Sequence, residues 1–88
     1  MEGWHEVGSD KCDYRRELDR CTIRIARASP SSEEWLLEII VGFLMVGAMR
    51  KMTTGDTIES VMEKAEIFAV EQFSKLKGFY IRLLRELD

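Results

Sequence analysis

Four arginines at spacings of four, four and three residues are the side chains best suited to recognise a charged partner: Arg16, Arg20, Arg24 and Arg27. On an α-helix these spacings place side chains on one face, because residues three and four apart are neighbours on the helix surface. The surrounding residues 11–28 carry six basic and three acidic side chains, so positive charge is concentrated there. Guanidinium groups bind carboxylates and phosphates through paired hydrogen bonds. The spacing therefore predicts a partner-binding face for an acidic protein surface, with a nucleic-acid backbone as the alternative target.

A second charged row allows a different interpretation of the same arginines. Glu59, Glu63 and Glu66 recur at spacings of four and three beside an apolar stripe. If the two rows lie on neighbouring helices, the arginines pair with these carboxylates inside the chain or simply face solvent. Surface pairs of this kind contribute about 0–1 kcal/mol. Both interpretations stay open at the level of the sequence.

Residues for catalysis or metal binding are sparse. His5 is the only histidine, and Cys12 and Cys21 lack the close ligand pairs that zinc sites use. The sequence contains no glycine-rich phosphate loop. Cys21 falls on an apolar stripe, where a cysteine typically serves as a small core residue. We therefore expect a protein that is not an enzyme and that holds no metal or cofactor.

Length and composition predict one small domain. The chain has 88 residues, of which 45% are hydrophobic and 33% charged, and a formal net charge of -3. We expect a single domain over residues 1–88 with a flexible polar segment at residues 1–10. Two cysteines and no signal-peptide pattern favour a reducing, cytoplasmic location. The apolar run Trp35 to Met49 contains Glu38 and is shorter than the roughly 20 residues of a membrane span, so a membrane-associated protein is the less favoured alternative.

Apolar periodicity predicts an all-α fold with three antiparallel helices, at residues 11–28, 33–52 and 57–87. The stripe of the first helix recurs at spacings of four, three, four and three: Tyr14, Leu18, Cys21, Ile25 and Ala28. The alternation of Ile23 and Ile25 is also compatible with a strand. The second helix would be apolar on every side. The third keeps nine apolar positions in phase from Ile58 to Leu87, which favours a helix that is continuous or mildly kinked at Gly78, with a break there as the alternative.

These helices predict a homodimer. A helix that is apolar on every side needs neighbours on every side, and the third helix is longer than the other two. A shared core between two copies would bury four surplus residues: Val41, Phe43, Met45 and Phe79. Trp4 lies outside every periodic segment, and we interpret it as an exposed anchor for a partner, with packing onto the helices as the alternative.

Residues 53–69 resemble the acidic helix of many small bacteriophage accessory proteins. The segment runs from Thr53-Thr54-Gly55-Asp56 through the acidic positions to Ala69 and covers about a fifth of the chain. Proteins of that kind are short, helical and often acidic, and they commonly bind a host protein. The resemblance implies a helical binding module that modulates or inhibits a larger protein. A nucleic-acid accessory factor that uses the arginine row is the alternative function.

Overall fold

The computed structural model describes residues 1–19, 21–41 and 48–87 and shows a five-stranded antiparallel sheet covered on one face by a long helix. The elements are β1 (Trp4–Glu6), β2 (Asp13–Leu18), β3 (Cys21–Ala26), β4 (Glu34–Val41), β5 (Ala48–Thr54) and α1 (Ile58–Leu87). The strands lie in the sheet in their order along the chain. The predicted all-α, three-helix bundle is therefore wrong, because the described parts of residues 11–28 and 33–52 contain strands. β1 also lies within residues 1–10, which we expected to be flexible.

The helical stripe assigned to residues 11–28 is a set of cross-strand pairs. Tyr14 lies opposite Ile25, and Leu18 lies opposite Cys21, in the β2–β3 hairpin. Their spacing of three and four residues comes from the register of the hairpin and not from successive turns of a helix. Ile23 and Ile25 alternate along β3 and are both buried, which is the strand that the sequence analysis gave as the alternative.

The core lies between one face of the sheet and the first half of α1. The sheet contributes Ile23, Ile25, Trp35, Leu37, Ile39 and Val41, and the helix contributes Val61, Met62, Ala65, Phe68 and Ala69. The small side chains of Ala65 and Ala69 let the helix approach the strands closely. At the start of α1, the Ser60 amide donates to Thr57 Oγ1 at 3.1 Å, and the Thr57 amide donates to Ser60 Oγ at 3.3 Å. This reciprocal capping satisfies two amide groups that the first turn leaves free.

α1 extends well beyond the sheet. Its 30 residues give a length of about 45 Å at the standard helical rise. The molecule measures 52 × 22 × 21 Å, and the last buried residue of α1 is Ala69. We call residues 76–87 the overhang of α1. In the described part of the chain, no helix has an apolar stretch long enough to cross a bilayer.

Candidate protein-binding surfaces

The overhang of α1 exposes a concentration of large apolar side chains. Six of them lie within nine consecutive residues and are between 38% and 82% exposed: Phe79, Tyr80, Ile81, Leu83, Leu84 and Leu87. At 100° per residue these side chains cover a broad arc of the helix. Arg82 and Arg85 occupy the opposite arc, as does Lys75 just before the overhang, whereas Lys77 lies on the apolar side between Leu84 and Ile81 and lines the groove described below. The overhang is therefore an amphipathic helix whose apolar side lacks cover from the described residues.

An apolar groove separates the overhang from the end of the sheet. It encloses about 490 Å³, with walls formed by Leu18, Cys21 and Val41 from the strands and by Phe73, Leu76 and Tyr80 from α1. Burial raises the pKa of the Cys21 thiol, which lowers its reactivity as a nucleophile. Of the four residues predicted for a dimer core, Val41 lines this groove and Phe79 lies on the overhang. The other two, Phe43 and Met45, lie outside the described residues.

The predicted arginine row does not share one face. Arg16 points toward α1, where its guanidinium contacts the carboxylate of Glu66. Arg24 points to the opposite face of the sheet, which α1 leaves open and which we call the open face. Arg27 lies over the ring of Trp35, 4.4 Å from the centroid. Arg16, Arg24 and Arg27 therefore do not form one helical face, and Arg20 lies outside the described residues.

The open face carries an ion-pair network that the sequence analysis missed. Arg15, Arg24, Glu38 and Arg50 occupy neighbouring positions on four adjacent strands. Glu38 Oε1 accepts a hydrogen bond from Arg24 at 3.2 Å, and its Oε2 accepts one from Arg50 at 2.6 Å. Asp13 accepts hydrogen bonds from Arg15 and Arg24. We call these five side chains the open-face network.

Burial and pairing act in opposite directions on the two carboxylates of the open-face network. Burial tends to raise the pKa of Glu38, but the hydrogen bonds from Arg50 and Arg24 outweigh it and lower the pKa. Burial also tends to raise the pKa of Asp13, but the hydrogen bonds from Arg24 and Arg15 outweigh burial and lower this pKa. Both carboxylates are therefore charged at neutral pH and neutralise most of the arginine charge. This pairing reduces the positive charge that the open face could offer to a phosphate.

Trp4 packs onto the molecule instead of standing free. Its side chain is half-buried and contacts the hydrophobic core from β1. Its indole N–H is buried without a hydrogen-bond partner among the described residues. The alternative interpretation of Trp4, packing against the chain, is the one that its position supports.

Among the described residues, no group of three or more histidine, cysteine, aspartate or glutamate side chains is arranged to hold a metal ion. His5 is exposed at β1, on the opposite side of the β2 strand from Cys21 in β3. Cys12 and Cys21 are both free thiols.

Comparison of this chain with protein-family models, curated proteins and solved structures finds no match. Its function is therefore inferred from the surfaces that the fold creates.

Proposed function

We propose that the chain is a non-enzymatic protein-binding module that works as a homodimer joined through the overhang of α1. The observation that carries this proposal is the run of six exposed apolar side chains beside the groove at the end of the sheet. A second copy of the chain is the occupant, because the overhang and the groove offer it a projecting helix and a complementary recess. The resulting interface would be isologous, with each overhang contacting the same surface of its partner.

The exposed apolar side chains of the overhang form a patch of substantial area. The six side chains expose about 500 Å² per copy, taking roughly 150–200 Å² for a fully exposed large apolar residue. That value lies within the range of about 300–600 Å² for the largest apolar patch of a monomer, and such patches are often functional. The groove walls add little to this area, because Tyr80 is already counted, so the patch is smaller than the roughly 800 Å² per partner of a standard interface and corresponds to a weaker, reversible dimer.

Charge placement also favours the overhang over the rest of the surface. Lys75, Arg82 and Arg85 lie opposite the apolar arc, so two overhangs can meet without bringing these three cations together, and Lys77, which lines the groove, is exposed to solvent. The open face of the sheet is a poor alternative, because stacking on it would desolvate the open-face network. Association is therefore directed to the end of the molecule.

The module acts on a larger protein in this proposal, as the resemblance of residues 53–69 to phage accessory proteins suggests, and its cytoplasmic location stays a prediction. The nucleic-acid alternative receives less support, because Arg16 and Arg24 are engaged by carboxylates of the same chain.

Sedimentation equilibrium tests the dimer. We expect a mass of about twice 10.2 kDa at micromolar concentration. Leu84→Lys should give a monomer, because Leu84 is 63% exposed and lies in the overhang. Val70→Lys is the matched control, since Val70 is 65% exposed on the same helix but outside the overhang, and this variant should remain dimeric. Circular dichroism checks that both variants keep the fold.

Alkylation of Cys21 reports on the groove itself. We expect Cys21 to react more slowly at concentrations where the dimer forms than in dilute solution, with peptide mapping used to separate it from Cys12. A wild-type mass near 10.2 kDa at high micromolar concentration would refute the proposed dimer.

A further inference from the structure

We propose that the free edge of β5, together with the neighbouring flank of α1, binds an extended acidic segment of a partner protein as a sixth strand. This inference rests on the proposed role as a protein-binding module and names the chemistry of the larger partner. It uses a different surface from the overhang of α1 and does not require the dimer.

The first observation is the position of β5 in the sheet. Among the described residues, β5 pairs with β4 alone, so the main-chain groups on its other side face away from the sheet. β5 has seven residues, whereas β1 at the opposite edge has three. An edge of that length is a template for an added strand, and main-chain hydrogen bonds supply affinity in this mode of binding.

The second observation is a recess beside this edge. A groove of about 270 Å³ lies between β5 and α1, with Lys51 and Thr53 on the strand side and Lys64, Ile67, Phe68 and Glu71 on the helix side. Side chains of a strand alternate between its two faces, so every second residue of an added strand would lie over this groove. Ile67 is 54% exposed and offers apolar contact there. The edge would thus provide affinity and the groove would provide selectivity.

The charges of this groove favour an acidic partner. Lys51 and Lys64 are both exposed on its rim, and the Lys51 ammonium lies 6.0 Å from the centroid of the Phe68 ring. Lys64 reaches from α1 to the carbonyl oxygen of Thr54 at the end of β5, which brings its charge to the strand. Glu71 is the one acidic residue among the groove walls. We therefore expect the bound segment to place carboxylates near the two lysines and apolar side chains near Ile67.

A second copy of the chain is a poor occupant of this edge. Antiparallel pairing of two β5 strands about the central residue would place Lys51 opposite Lys51 of the other copy. Like charges directly opposite each other destabilise a strand pair, and lysine on an edge strand is a common obstacle to self-pairing. A segment with acidic residues at those positions removes the repulsion and replaces it with attraction. The edge therefore selects a different chain.

A pair of synthetic peptides tests the charge preference. In the first peptide, every second residue is threonine, and the residues between the threonines are valine and glutamate in turn. One face of the extended peptide therefore carries both apolar and acidic side chains. The second peptide has lysine in place of glutamate. By fluorescence anisotropy, we expect the acidic peptide to bind at least about tenfold more tightly than the basic peptide, since a tenfold ratio requires only about 1.4 kcal/mol.

Charge reversal and N-methylation locate the peptide. Lys51→Glu combined with Lys64→Glu should reverse the preference between the two peptides, and both residues are exposed, so the variant should fold. Lys75→Glu, an exposed lysine on α1 outside the groove, is the matched control and should leave the preference unchanged. Two further acidic peptides are N-methylated at every second residue, one at the odd and the other at the even positions. Only one of these patterns removes the N–H groups that face β5, so the two peptides should bind with different affinities.

Several outcomes would overturn the proposal. Equal binding of both peptides, or an unchanged preference in the double variant, would exclude the acidic selectivity of this groove. Equal binding of the two N-methylated peptides would exclude an added strand at β5. If the amide-exchange protection of β5 increased with protein concentration in the absence of peptide, the edge would be assigned to a second copy of the chain. Sedimentation of the same samples separates this result from the proposed function, because the dimer mass depends on the overhang and is measured independently of peptide binding.

Discussion

Replacement of Glu38 by glutamine tests whether the open-face network stabilises the fold. Glu38 is 5% exposed although it lies on the face of the sheet that α1 does not cover. Its two carboxylate oxygens each accept a hydrogen bond from an arginine, Arg24 or Arg50. Glutamine keeps the volume of the side chain but removes the charge and turns an NH₂ group toward one of the two guanidinium donors. One hydrogen bond is then lost, and two arginines lose their shared counter-ion.

The structure sets the expected size of this effect. Breaking a buried ion pair by removing one partner costs about 3–5 kcal/mol, and a hydrogen bond to a charged group contributes about 1.5–3 kcal/mol. The smaller of these two costs applies, because the Arg50 side chain is 64% exposed and Arg24 keeps its contact with Asp13. We expect Glu38→Gln to lower the free energy of unfolding by about 2–3 kcal/mol at pH 7. For a domain of this size the melting temperature would fall by about 10–20 °C.

The effect should depend on pH in a defined direction. The pKa of Glu38 in the folded chain lies below its ordinary value of 4.5, because hydrogen bonds from the two arginines outweigh burial. A lowered pKa contributes stability that is fully present above the unfolded-state pKa and is lost as the pH falls through the folded-state pKa. Glutamine does not titrate, so the difference between wild type and Glu38→Gln should be largest near neutral pH and should shrink below pH 4.5.

Urea unfolding at fixed protein concentration from pH 7 to acidic pH measures this difference. Glu34→Gln is the matched control, since Glu34 is exposed and lies four residues earlier on the same face of β4. We expect this control to change stability by less than about 0.5 kcal/mol. If Glu38→Gln matched the control, or if its effect stayed constant down to low pH, the network would not stabilise the fold as argued.

Three further experiments test the packing of α1 by urea unfolding. Gly55→Ala should cost about 1–3 kcal/mol, because a Cβ there would overlap the Cγ2 atom of buried Val61, and no loss would contradict that close approach. Gly78→Ala should instead stabilise the fold by about 0.5–1 kcal/mol, because a Cβ at this helical position would meet no side chain of the described residues closer than 4.0 Å. A double-mutant cycle of Arg16→Ala and Glu66→Ala should give a coupling energy below about 1 kcal/mol that decreases with salt, because both side chains are partly exposed. A larger coupling energy that does not depend on salt would contradict this expectation and would make the pair a principal link between sheet and helix.

The C-terminal helix could be predicted from the sequence, because its signal is long and unambiguous. The predicted helix at residues 57–87 corresponds to α1 at Ile58–Leu87, and it continues through Gly78. Nine apolar positions at helical spacing over thirty residues are typical of one long amphipathic helix. The same periodicity did not show that only the first half of α1 has a sheet to pack against.

The hairpin of β2 and β3 could not be distinguished from a helix by spacing alone. Tyr14 and Ile25, like Leu18 and Cys21, are cross-strand partners whose separations add up to a helical pattern. The continuous apolar run of β4 is equally ambiguous, since a fully covered strand and a buried helix share that signature. β4 is the fourth of five strands, with α1 on one face and the open-face network on the other. The alternating β-branched residues of β3 were a local signal for a strand.

The charged residues were mispredicted for the same reason. Arg16 and Arg24 are eight residues apart, which places them on one face of a helix but on opposite faces of the sheet across this hairpin. The register pairs Arg24 with Arg15, a residue that the sequence analysis did not select. A signal for Glu38 was present, because a carboxylate within the apolar run of β4 requires a counter-ion if the run is buried. Its partner could be identified only once the strand register was known.

The mismatch in length between helix and sheet explains why association is the central expectation for this chain. The longest strand, β4, has eight residues and spans about 26 Å, whereas α1 spans about 45 Å. The sheet can therefore cover little more than half of the helix, whatever the details of packing. The other side of the sheet carries the open-face network beside the exposed side chains of Ile40 and Met52, and a second layer there would desolvate the charged groups. Uncovered apolar surface is thereby concentrated on the overhang of α1, where a second copy can bury it, while the free edge of β5 stays accessible for a different partner.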